Sequence, residues 1–125
     1  MDENTIARIV VDSAYSVHTT LGPGLLESVY ESALCHGLKA RNIKYYRQHQ
    51  IQVVYKNVTL MDAFRADILV EDKVIVELKS IENMAPVHKK QLITYLKLAD
   101  CRLGLLINFG SCLIKDGITR VVNKL

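Results

Sequence analysis

Residues 64–80 read FRADILVEDKVIVELKS, and the rest of the chain is organised around this stretch. Two runs rich in Ile, Leu and Val flank the polar Glu71-Asp72-Lys73, the pattern of consecutive antiparallel strands joined by a short loop. Side chains alternate along a strand, so Phe64, Ala66, Ile68 and Val70 share one side with Val74, Val76 and Leu78. Arg65, Asp67 and Leu69 share the other side with Ile75, Glu77 and Lys79. If residues 71–73 form the loop, Val70 pairs with Val74, and counting back puts Asp67 directly opposite Glu77. The first side is apolar, and the second sets two carboxylates face to face.

Like charges opposite one another destabilise a sheet, so a neutralising group is expected there. Hard divalent cations take oxygen ligands, and Mg²⁺ commonly needs only one or two protein carboxylates. Lys79 lies two residues beyond Glu77, points to the same face and could stabilise developing negative charge. The pattern Asp67-x9-Glu77-x-Lys79 therefore suits a metal-dependent phosphodiester site. Taken alone it also suits a surface hairpin with scattered charges, because exposed pairs cost little.

At 125 residues the chain is expected to be one domain, residues 1–125, long enough to bury a core. Half the residues are hydrophobic and 23% are charged, a balance that argues against disorder. The net charge of +3 permits a nucleic-acid partner without demanding one. No apolar run reaches the length of a membrane span, and residues 1–20 lack the layout of a signal peptide. A cytoplasmic protein with no membrane partner is the expectation. Cys35, Cys101 and Cys112 are odd in number and widely spaced, and read as buried free thiols.

Ile6, Ile9, Val10, Ser13, Ala14, Val17 and Leu21 recur at helical spacing, with Asn4 as a candidate N-cap. Gly22-Pro23-Gly24 ends that helix, and a second runs from about Leu25 to Ala40 with the stripe Leu26, Val29, Tyr30, Ala33, Leu34 and Leu38. Glu27 stands in its first turn beside the stripe. A favourable charge at a helix N-terminus accounts for it. If the helix lies over the charged side of the hairpin, Glu27 becomes a third acid near Asp67 and Glu77.

Residues 43–55 alternate as a long strand. Lys39, Arg41, Lys44, Arg47 and Lys56 make this the most basic part of the chain, with Tyr45 and Tyr46 interleaved. Such a segment could track phosphates and stack bases, or serve as a solvated edge that resists aggregation. After the central hairpin, Pro86 opens a helix to about Ala99, on which Gln91 and Tyr95, four apart, share a face near His88. Residues 103–109, LGLLINF, read as a strand buried on both sides and parallel to residues 74–79. Residues 111–122 alternate around Asp116-Gly117 as a closing hairpin.

The blocks GPGLLESVYE, RADILVEDKVIVELKS, HKKQLITYLKLAD, RLGLLINFG and KDGITRVV, in that order, resemble the small prokaryotic family named for a GxxExxxY signature, within the PD-(D/E)XK nuclease superfamily. The resemblance spans nearly the whole chain. It implies a restriction-endonuclease-like α/β fold, a mixed central sheet flanked by helices. It implies Asp67 and Glu77 as Mg²⁺ ligands, Mn²⁺ substituting, with Glu27 as the helix-borne acid that completes the metal site. Lys79 becomes the residue that orients water or stabilises charge, and Gln91 and Tyr95 match a Gln-x-x-x-Tyr motif that positions DNA. Two departures stand out. Ala66 occupies the place of the proline in the superfamily name, and Tyr30 follows Glu27 after two residues where the signature counts three.

The expected activity is Mg²⁺-dependent hydrolysis of phosphodiester bonds in DNA or RNA, with Glu27, Asp67, Glu77 and Lys79 catalytic. Gln91, Tyr95, Arg41, Lys44 and Arg47 are the candidate nucleic-acid contacts. A homodimer is compatible with a duplex substrate. The alternative is a non-catalytic module that binds nucleic acid or protein through the same face.

Overall fold

A computed structural model describes residues 1–125 apart from the side chain of residue 62. The elements in chain order are α1 (Glu3–Leu21), α2 (Glu27–Ala40), β1 (Tyr45–Tyr55), β2 (Val58–Val70), β3 (Val74–Lys79), α3 (Pro86–Ala99), β4 (Leu103–Asn108), α4 (Ile114–Gly117) and β5 (Ile118–Val122). The five strands form one mixed sheet in the order β1-β2-β3-β4-β5. Antiparallel pairs flank the single parallel pair, β3 with β4, which joins through α3. This is the expected α/β architecture.

The two hydrophobic layers follow from the alternation. Ile68, Val70, Val74, Val76 and Leu78 pack with Leu103, Leu105 and Ile107 against α1 and α2. Leu69, Ile75 and Leu106 pack on the opposite side against Leu92 and Leu96 of α3. Gly104 allows α3 this close, since a Cβ there would lie 3.0 Å from Leu92. All six residues of β4 are buried, as its unbroken apolar run requires.

Several expectations are corrected. Asp2, not Asn4, caps α1, its carboxylate accepting from the Thr5 amide at 2.8 Å. Leu26 and Val29 of the expected α2 stripe are exposed, while Tyr30, Leu34, Cys35 and Leu38 are buried. The first strand begins at Tyr45, and β2 begins at Val58 rather than Phe64. Lys56 and Asn57, both at positive φ, form the tight turn that joins them. No closing hairpin forms around Asp116-Gly117: a one-turn helix occupies that place, and β5 pairs back onto β4. Gly117 is needed there for close approach, because a Cβ would fall 2.3 Å from the Asn108 carbonyl oxygen. Cys35 and Cys101 are buried, but Cys112 is exposed.

Phe64 and Ala66 also change sides. Alternation assigns them to the α1/α2 face, yet they pack in the α3 layer with Ile51. β2 has ladder pairs with β3 only from Ile68 onward. Beyond that point β1 and β2 form a two-stranded ribbon, which twists more strongly than a full sheet. Gln48, at φ +47°, breaks the extended backbone of β1 at the same level.

Candidate functional site

The loop at 71–73 pairs Val70 with Val74 as counted, and the ladder continues to Ile68 opposite Val76. One step further the backbone bonds give way to side chains. The Asp67 amide donates to Glu77 Oε1 at 3.2 Å, and the Leu78 amide donates to Asp67 Oδ2 at 2.8 Å. Each carboxylate thus fills a rung that the separating strands leave open. Burial, and next to it the charge of Asp67, pushes the Glu77 carboxyl up from 4.5 to about 8, with Lys79 acting weakly in the other direction.

Tyr95 reaches this centre from the α3 side. Its ring stacks on Phe64 with centroids 4.0 Å apart. Burial raises its phenol first, and the charges of Glu77 and Asp67 raise it further, which places its hydroxyl in their field. Gln91, one turn earlier, is exposed on the same helix. His88, considered beside them, instead accepts from the Ala85 amide at 3.1 Å and caps α3. Lys79 is half-buried at the end of β3 and has no acidic partner among the described residues.

Glu27 arrives by an unexpected route. Helix α2 covers the apolar side of the hairpin, through Tyr30, Leu34 and Leu38. Because β2 and β3 part at Asp67, Glu27 still lines a cavity of about 120 Å³ together with Ser28, Glu31, Gln48, Asp67 and Leu78. The start of α2 is set by Tyr30, fully buried and stacked on Phe109 at 4.5 Å. Its hydroxyl donates to the Gly22 carbonyl and accepts from the Leu25 amide. Tyr30 is therefore a brace that seats the turn before Glu27.

Glu31 and Gln48 belong to this cluster and were not singled out from the sequence. Glu31 is buried, receives Arg47 through two nitrogens at 2.9 and 3.2 Å, and accepts from Gln48 Nε2. Gln48 Nε2 also leans toward Asp67 Oδ1 at 3.4 Å. Consecutive strand residues normally face opposite ways, and the left-handed backbone at Gln48 is what lets Arg47 and Gln48 reach one carboxylate. The only sequence signal for Glu31 is its place one turn after Glu27.

The structure separates the remaining basic candidates. Arg41 donates to the Gly37 carbonyl at 3.0 Å, Lys44 pairs with Asp72 at 2.9 Å, and Arg47 is held by Glu31. Among the described residues no three Asp, Glu, His or Cys form a preassembled metal cage. Asp67 and Glu77 nonetheless fit a hard divalent ion. They are two oxygen donors at one point, and Glu77 carries a raised pKa that a cation would relieve. Among the described residues no helix is long and apolar enough to cross a membrane.

No curated protein and no solved structure matches the chain. A family model described as the PD-(D/E)XK nuclease superfamily matches residues 4–121. The interlocked Asp67 and Glu77, with Lys79 following on the same strand, occupy the centre of that matched span, and the chain belongs to the PD-(D/E)XK nuclease superfamily.

Proposed function

We propose that this protein is a Mg²⁺-dependent nuclease of the GxxExxxY-signature family, hydrolysing phosphodiester bonds of DNA or RNA. The observation that carries the reading is the pair of carboxylates locked into the open rung between β2 and β3, with Glu77 pushed up to about 8. Asp67 and Glu77 would hold the ion and Glu27 would complete its ligand set. Bound there, Mg²⁺ would supply Lewis-acid polarisation of the scissile phosphate.

The chain's own groups supply the rest. Lys79 sets a cation on the face that carries the acids, where negative charge grows on the phosphate in the transition state. Tyr95, fixed by its stack on Phe64, positions the substrate backbone beside the acids, with Gln91 one turn away. Arg47 acts through Glu31, holding α2 and β1 together around Asp67. The buried thiols of Cys35 and Cys101, both pushed above the ordinary cysteine value, suit a reducing cytoplasm.

The test pairs Mn²⁺ titration calorimetry with cleavage of single-stranded DNA, duplex DNA and RNA. Lys79→Met should keep metal affinity while cleavage falls on the order of a hundredfold or more. Glu77→Gln should lose both. A wild type that binds metal yet cuts nothing above the Lys79→Met background would move the binding-module reading ahead.

A further inference from the structure

β1 is the outermost strand of the sheet, so its outer edge has no strand partner. The left-handed backbone at Gln48 interrupts that edge, and beside it lies a groove of about 670 Å³ whose lining includes Tyr46, Gln48, His49 and Arg65. Gln48 also lines the acidic cavity with Asp67, so the groove and the acids meet at this residue. Arg65 stands two residues from Asp67 on β2, paired in register with Gln50 of β1.

The chemistry of the groove discriminates between nucleic-acid forms. Duplex binding depends on neutralising many phosphates. Here Arg47 is held by the buried Glu31 and Lys44 pairs with Asp72 in solvent, leaving Arg65 as the groove arginine without an acidic partner among the described residues. What the groove offers instead is rings. Tyr46 is exposed, and its ring lies 5.2 Å from that of His49, with Lys44 Nζ over its face. Bases can stack on such rings only when they are unpaired.

Resting on the nuclease reading above, the geometry points to the kinked outer edge of β1 as a binding track for unpaired nucleic acid. Tyr46 and His49 stack successive bases, Arg65 takes a phosphate, and the strand is led past Gln48 to Asp67 and Glu77. One strand needs one active site, so the track works in a single copy of the chain.

The experiment is fluorescence anisotropy in EDTA, with an end-labelled DNA 20-mer, the RNA of the same sequence, and the DNA duplex. The unpaired oligonucleotides should bind at least tenfold more tightly than the duplex. Tyr46→Ala and His49→Ala should each weaken unpaired binding on the order of tenfold, while Tyr46→Phe stays within about twofold of wild type. Arg65→Gln should lower the log–log salt slope by about one. Thermal melts establish that these surface variants fold. Duplex affinity equal to or above that of single strands overturns the proposal, as does unchanged binding by both ring variants. Ring-dependent binding without any metal-dependent cleavage would leave the track standing and remove the nuclease reading. Cleavage by wild type and ring variants alike would do the reverse.

Discussion

Replacing Asp67 by Asn should make the metal-free protein more stable, and by an amount that depends on pH. A carboxyl whose folded pKa is raised destabilises the native state as it ionises. The Glu77 contribution is therefore intact below its unfolded value near 4.5 and is lost as the pH climbs through about 8. That rise withholds on the order of 5 kcal/mol at high pH, with burial the larger cause. The neighbouring Asp67 charge accounts for about 1–2 kcal/mol of it. Asn keeps an oxygen for the Leu78 amide, so the rung survives. Differential scanning fluorimetry in EDTA should then show Asp67→Asn melting about 3–6 °C above wild type at pH 9 and level with it at pH 5.5. Adding Mg²⁺ or Mn²⁺ at pH 9 should raise wild type and leave the variant unmoved. A gain independent of pH, a loss at pH 9, or equal metal responses would refute the geometry of the site.

The two basic pairs should behave differently. Arg47→Gln leaves Glu31 buried without its cation and should cost about 2–4 kcal/mol in urea melts, whereas Lys44→Gln breaks a solvent-exposed pair and should cost within about 0.5 kcal/mol. Tyr30→Phe removes the hydroxyl that joins Gly22 to Leu25 and should cost about 1–3 kcal/mol by the same melts. It should also weaken Mn²⁺ binding in calorimetry if the turn it braces is what presents Glu27.

Elements whose signals are local could be read from the order of residues. The loop length and the register counted back from it were enough to bring Asp67 beside Glu77, because strand register follows from backbone geometry, although the alternation itself fails at Ala66 and Phe64. The buried run of β4 and the α1 stripe from Ile6 to Val17 were legible for the same reason, whereas Leu21 of α1 is exposed and the α2 stripe held at Tyr30, Leu34 and Leu38 but not at Leu26 and Val29. Which helix face meets which acid depended on long-range packing. Glu27 reaches Asp67 from the apolar side because the strands part there, and side chains take over the backbone rungs. Phe64 and Ala66 cross to the α3 layer because the β1–β2 ribbon twists once β2 parts from β3. The Glu31, Arg47 and Gln48 cluster joins residues 16 and 17 apart in sequence through a left-handed residue inside a strand. Such a conformation is costly for a non-glycine residue and is held by the contacts around it, and those contacts exist only when α2 and β1 have already been brought together.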